Sequence, residues 1–191
     1  MKHALFISLT AVATLSLNIS GCAPAIVAGG AASVAADTRT AGTVVEDQSI
    51  EFRIAANLQK DPEFLEKTNI NITSYNTVVL LTGEAKTVAL RDRAEKIAKT
   101  DPKAKKIYNE IVVREPLPMK ARNYDSWLTT KVKAKLVATE DVSSFNVKVV
   151  TSDTTVYLMG LISKADAQKV AQVAAHVTGV TRVVKAFEYV N

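Results

Sequence analysis

Few side chains in this 191-residue sequence could serve as nucleophiles, metal ligands or proton carriers. Cysteine occurs once, at Cys22, and histidine twice, at His3 and His176. A Cys-His or Ser-His pair would have to rest on His176, which lies among Val173, Ala174, Ala175 and Val177 and reads as a helix-end residue. Zinc needs three or four nitrogen or sulfur ligands, and these are missing, so no metal and no cofactor is expected. The acid pairs Glu46-Asp47 and Glu140-Asp141 could do acid-base work, but each flanks an expected helix end, where carboxylates serve as caps. Gly29-Gly30 sits in an Ala-rich stretch, and Gly83 and Gly160 each stand alone after a strand, so no glycine-rich phosphate loop is present. The basic run Lys103-Ala104-Lys105-Lys106 reads as a solvated turn. No catalytic residue is assigned, and the inventory argues against an enzyme.

Cys22 has a different chemistry available. Met1-Lys2-His3 carries positive charge, and Ala4 to Ile19 has no Asp, Glu, Lys or Arg, which is the pattern of a signal peptide and too short for a lasting membrane span. Ile19-Ser20-Gly21-Cys22 then resembles a lipobox, with small side chains at the cut and a free thiol to receive a diacylglyceryl group. Residues 1–21 are therefore expected to be removed and Cys22 to be lipidated, with palmitate or a similar chain. Ala23 in place of Asp favours sorting to the outer membrane, facing the periplasm. Several acyl chains on one residue anchor far more firmly than one. As the sole cysteine, Cys22 can form no intrachain disulfide. The mature 170 residues carry 23 basic and 19 acidic side chains, a mild net +4 that suits an anionic membrane surface. Nucleic acid is not an expected partner.

The elements that position any site follow from an internal repeat. Residues 22–46, rich in Ala, Gly, Val and Thr, read as a flexible tether spanning about 25 to 30 Å on average and about 80 Å at full stretch. Beyond it, Asn69-Ile70-Asn71-Ile72-Thr73 and Val78-Val79-Leu80-Leu81-Thr82-Gly83 fall on Asn146-Val147-Lys148-Val149-Val150 and Thr155-Val156-Tyr157-Leu158-Met159-Gly160 at a constant offset of 77. Ile50, Ile54 and Leu58 fall on Leu128, Val132 and Leu136 at an offset of 78, each triple one stripe of a helix. Ala94, Ile97 and Ala98 fall on Ala167, Val170 and Ala171 after a small gap, and Ile107 and Ile111 on Val183 and Phe187.

Each copy reads as helix (48–60; 125–138), two strands (69–75 and 78–83; 146–152 and 155–160), helix (87–100; 164–177) and strand (105–113; 182–190). Ser163-Lys164-Ala165-Asp166 is a capping box. The expected class is α+β, two tandem αββαβ units, each a three-stranded mixed sheet packed on two helices with a right-handed crossover. Residues 47–114 form the first unit and 123–191 the second. Glu115-Pro116-Leu117-Pro118-Met119-Lys120 opens the linker, 115–122, because neither proline can donate to a ladder.

This order, with apolar runs leading into Gly83 and Gly160 and an Ala-rich second helix, resembles the BON domain. A lipobox, a tether and two such domains look like the dual BON-domain outer-membrane lipoproteins of Gram-negative bacteria, over stretches that include Asn123-Tyr124-Asp125-Ser126-Trp127-Leu128 and Val156-Tyr157-Leu158-Met159-Gly160-Leu161. The resemblance implies a non-enzymatic protein that binds anionic phospholipid through its second domain, concentrates at division sites and supports outer-membrane integrity.

If the copies share a fold, their differences are where function is written. The first helix of copy one carries Asp47, Glu51, Arg53 and Lys60 and sums to zero; that of copy two carries Asp125 against Lys131, Lys133 and Lys135. At about 100° per residue, Trp127, Lys131, Ala134 and Ala138 make a stripe beside the core stripe. Trp127 is the only tryptophan, and its counterpart is Ser49, so the core does not demand an indole there. Trp127, Thr130, Lys131, Lys133, Ala134 and Lys135 are therefore expected to meet phosphatidylglycerol or cardiolipin, the indole at headgroup depth and the ammonium groups on phosphates. Two rival expectations stand beside this one. Trp127 could pack between the domains on Leu117 or Met119, or the protein could be an adaptor whose exposed strands or helix dock an outer-membrane assembly protein or cell-wall factor. The chain is expected to be a monomer.

Overall fold

The computed structural model describes residues 39–140 and 146–190. Cys22, the signal sequence, the tether up to residue 38, and Asp141 lie outside the described residues.

The first unit runs α1 (Ala41–Gln59), α2 (Pro62–Lys67), β1 (Thr68–Tyr75), β2 (Val78–Ala85), α3 (Val88–Ala98), β3 (Lys106–Asn109) and β4 (Val112–Val113). The second runs α4 (Met119–Val137), β5 (Val147–Ser152), β6 (Thr155–Ser163), α5 (Lys164–Ala175) and β7 (Arg182–Val190). In each sheet the central strand, β2 or β6, is antiparallel to the strand before it and parallel to the closing strand. The α+β class and the αββαβ order are as expected.

Several boundaries differ from the sequence reading, each for a local reason. Residues 41–46, assigned to the tether, are helical, because Thr40 caps α1 by accepting from the Thr43 N–H at 3.1 Å. Helix α4 takes in Met119 to Arg122 of the expected linker, entering directly after Pro118. The unforeseen α2 starts on Asp61, whose carboxylate accepts from the Glu63 N–H, with Pro62 at the first helical position. The strand expected over 105–113 is two short pieces, both parallel to β2. At the end of the first piece Asn109 turns its side chain to Glu95 and to the Ile111 N–H, and Ile111, between the two, enters the core. The gap before the second helices is a single residue: their N-caps Thr87 and Ser163 are 76 residues apart, so buried Ala94 and Ala98 match Val170 and Ala174, not Ala167 and Ala171.

Gly83 and Gly160 do not follow the central strands but lie inside them. A Cβ at Gly83 would collide with the carbonyl oxygen of Asn69 on β1, and one at Gly160 with that of Asn146 just before β5, so only glycine fits.

Asp47, expected as a helix cap, instead sits within α1, and Asp125 sits likewise within α4, both buried. Asp47 accepts from the Asn76 and Thr77 backbone N–H groups (2.8 and 2.7 Å), from Ser74 Oγ and from Arg39. Asp125 accepts from the Asp153 and Thr154 N–H groups (2.8 and 2.9 Å). All four turn residues have positive φ, between 49° and 66°, as two-residue hairpins require. Each carboxylate thus secures a strained turn to the first helix of its unit. Glu46 pairs with Arg53, and Glu140 stands in the turn after α4.

The two units pack through their sheets. On β2, Val79, Leu81 and Ala85 face the helices, while Val78 and Leu80 face the other way; on β6, Val156, Leu158 and Ile162 face the helices, while Tyr157 and Met159 face the other way. Tyr75, Val78 and Leu80 meet Tyr157, Met159 and Ala186 in a third, interdomain core. The layers therefore run helices, sheet, sheet, helices, and the central strands are buried on both faces. Polar ties border the seam: Tyr75 Oη donates to the Asn146 carbonyl (3.2 Å), Asn76 to Glu188 (2.8 Å), and Arg114 pairs with Asp153 (2.7 Å).

Candidate functional site

With both sheets turned inward, the helices form the outer surfaces, and both first helices expose large apolar side chains, Val45 and Phe52 on α1 and a larger set with the tryptophan on α4. Leu128, Val132 and Leu136 are fully buried against β5, β6 and α5. Away from the core side Trp127 is 52% exposed, and Met119 (61%), Val137 (67%) and Tyr124 are exposed as well. Met119 and Val137 are 18 residues apart on the helix, about five full turns, so they share one side of it. Trp127 stands roughly 80° around the helix from that pair, and Tyr124 farther round beside the core stripe, so the exposed apolar groups are spread over the outer surface of α4.

Trp127 does not pack between the domains on Leu117 or Met119. Its ring lies 5.3 Å from that of Tyr124, tilted by 36°, and Lys131 Nζ stands 4.9 Å above it. Lys131 also donates to the Thr178 carbonyl at 2.9 Å, which holds it on the loop after α5. That loop is close because Gly179, with φ of 107°, lets it pass against Tyr124 and Leu128; a Cβ there would stand 2.6 Å from Tyr124 Oη.

The residues singled out in the sequence separate into groups. Trp127, Lys131, Ala134 and Lys135 share one sector; Lys131 and Lys135 also line a shallow hollow with His176, Val177 and Thr178. His176 is the C-cap of α5, its Nδ1 2.7 Å from the Gln172 carbonyl. Thr130 is exposed at the rim of the sector and donates to the Ser126 carbonyl. Lys133 is exposed but stands roughly 120° around the helix from Trp127, so it belongs to another face. Cys22 lies outside the described residues. Sequence reasoning passed over Met119, Tyr124 and Val137, which an eye on the whole non-core side of α4, and not on the tryptophan alone, would have found.

Arg53 of α1 stands 78 residues before Lys131 and likewise reaches the loop after the second helix of its unit. Its partner there is Asp101, bound through Nε at 2.7 Å and Nη2 at 3.1 Å, with Glu46 as a second carboxylate at 3.0 Å. The Arg53 guanidinium holds the Asp101 carboxyl below the usual carboxylate range, aided by the Lys103 and Ala104 N–H groups.

A BON domain matches residues 46–115 and again residues 124–191. The chain belongs to the BON-domain family. This BON-domain chain is 34% identical over 178 residues to the outer membrane lipoprotein DolP of Haemophilus influenzae, covering 92% of each. It is 41% identical over 155 residues to a 21 kDa hemolysin of Actinobacillus pleuropneumoniae (81% of this chain, 80% of that one). It is 30% identical over 145 residues to the osmotically-inducible protein Y of Escherichia coli (74% and 72%). Among the described residues, no helix of either BON domain is long and apolar enough to cross a membrane.

Proposed function

We propose that this BON-domain protein is a non-enzymatic outer-membrane lipoprotein, anchored by acyl chains on Cys22 and facing the periplasm, that lays α4 of its second domain on anionic phospholipid. Its role in outer-membrane integrity at division sites rests on the family resemblance alone. The observation that carries the lipid reading is the exposed Trp127, with Tyr124 beside it and Lys131 and Lys135 on the same flank of α4. Exposed aromatic rings edged by lysines on one flank of a helix are the build of an interfacial helix. Burying one indole contributes a few kcal/mol and each lysine about 1 kcal/mol near an anionic surface. That sum is weak in free solution, and the N-terminal anchor raises the local concentration until weak contacts suffice.

The test uses protein lacking residues 1–22 and vesicles of phosphatidylglycerol or cardiolipin. Binding with a blue shift of Trp127 emission, reversed by high salt and absent with Trp127→Glu, is the expected result. Equal binding to neutral phosphatidylcholine vesicles, or an unchanged emission spectrum, would refute the reading.

A further inference from the structure

At one place in the duplicated fold the first domain supplies an oxyanion and the second supplies a hydrocarbon. Asp101 and Val177 are 76 residues apart, the offset of the helices before them, and each donates its N–H to the carbonyl of the last buried alanine, Ala98 or Ala174. The loops then close alike, Lys105 donating to the Thr77 carbonyl and Thr181 to that of Thr154, so the two run in register. Asp101 and Val177 are both buried, at 8% and 6% exposure. In the first domain the Asp101 carboxylate takes two hydrogen bonds from Arg53. In the second, Lys131 stands in the place of Arg53, and its partner is the Thr178 carbonyl.

The surroundings of Val177 are basic. The hollow of about 330 Å³ between α4 and this loop is lined by Lys131, Lys135, His176, Val177 and Thr178, with no acidic side chain among them. Lys131 Nζ is held by the Thr178 carbonyl at 2.9 Å and lies 4.9 Å from the centre of the Trp127 ring. An ammonium group has three donors, so hydrogens remain for a further acceptor.

His176 is exposed, and its Nδ1 lies 2.7 Å from the Gln172 carbonyl. A carbonyl only accepts, so Nδ1 carries the hydrogen, and in the neutral ring Nε2 is a bare acceptor. Histidine changes charge between about pH 8 and about pH 5, and Nε2 then becomes a donor. The groups that face this ring are Lys131 and Lys135 from α4, Val177 and Thr178 from the loop, and the Gln172 carbonyl from its own helix. An oxyanion set among the three basic side chains meets two ammonium groups throughout this range, and a third charged donor only when His176 is protonated.

We propose that this hollow is a phosphate site, in which Lys131, Lys135 and protonated His176 together hold the phosphodiester of one phospholipid headgroup, so that the contact strengthens in mild acid. The first domain fills the matching position with an oxyanion of its own, which is the chemistry that the second domain takes from outside. That the phosphate comes from a headgroup rests on the lipid reading, since α4 lying on a bilayer brings headgroups to this rim. A phosphodiester keeps its single negative charge across this pH range, so a gain in acid belongs to the protein.

The mature lipidated protein is kept in neutral detergent, titrated with phosphatidylglycerol in the same detergent, and followed by the Val177 and Thr178 amide signals in NMR spectra. Saturable shifts are expected, with an apparent affinity about fivefold higher at about pH 5.5 than at about pH 7.5. His176→Gln should match the natural protein at the higher pH and lose the gain at the lower. Val177→Asp, which installs the carboxylate of the first domain, should weaken binding about fivefold or more at both. Should that buried substitution fail to fold, exposed His176→Gln still decides. A gain in acid that survives His176→Gln, or full binding by folded Val177→Asp, would overturn the proposal. Inorganic phosphate that displaces the lipid at equal concentration would assign the hollow to a soluble phosphate and overturn its assignment to a headgroup. Trp127→Glu tells the two failures apart: a His176 effect without Trp127 dependence sinks the Trp127 face and keeps the hollow, and Trp127 dependence without a His176 effect does the reverse.

Discussion

Arg53 and Lys131 occupy matching places in the two BON domains, and their surroundings diverge. The first domain closes its cation with two carboxylates, Asp101 and Glu46, and carries Ser49 where the second has Trp127. The second domain gives its cation a backbone carbonyl and an aromatic ring, which leave the positive charge uncompensated beside an exposed tryptophan. Both first helices expose apolar side chains, Phe52 on α1 and Trp127 on α4, so the difference between them lies in how the neighbouring cation is paired.

The comparison can be broken most forcefully at what the copies share. Gly83→Val and Gly160→Val should each cost about 3 kcal/mol or more, because a side chain meets a backbone carbonyl that cannot retreat. Thermal melts followed by circular dichroism would show it, and an unchanged melt for either variant would separate the two scaffolds. Next come the carboxylates under the hairpins. Asp47→Ala should destabilise more than Asp125→Ala, about 3 against about 2 kcal/mol by urea unfolding, since Asp47 serves four donors and Asp125 two.

Three smaller effects sharpen the contrast. Trp127→Ser, which gives the second helix the residue of the first, should weaken phosphatidylglycerol-vesicle binding tenfold or more while shifting stability by less than about 0.5 kcal/mol. In the first domain the Asp101 carboxyl is depressed in the folded state, so its stabilisation is present above the ordinary carboxylate range and is lost as pH falls below about 4. Asp101→Asn should remove that acid-sensitive portion, about 1 kcal/mol after allowance for the partly exposed Arg53, in melts taken from neutral pH downward. Least of all, Lys133→Ala should lower vesicle binding less than twofold, whereas Lys131→Ala or Lys135→Ala should lower it about fivefold by co-sedimentation.

Much of the fold was legible because its signals are local. Apolar residues four apart mark the buried sides of α1 and α4, alternating and apolar runs mark the strands, Ser163 announces its helix, and the 77-residue echo of Asn69 to Gly83 establishes two units of one kind. Trp127 without a counterpart drew attention to α4 for the same reason: a residue that the shared core does not need is visible from composition and register, and the indole is indeed outside the core. What lay beyond reach depends on groups distant in the chain. Val78, Val79, Leu80 and Leu81 are all apolar, so nothing in the run tells which face receives helices and which receives Tyr157 and Met159 of the other sheet. Asp47 looked like a cap, and Asp125 like an ordinary helix charge, because their partners, four turn N–H groups, arrive from 28 to 30 residues away. Lys131 and Lys133 were alike on paper and parted only when the loop at Thr178 claimed one of them. Periodicity and capping are written within a few residues and survive in a linear reading, while the pairing of surfaces and the ownership of a charge arise when distant elements meet.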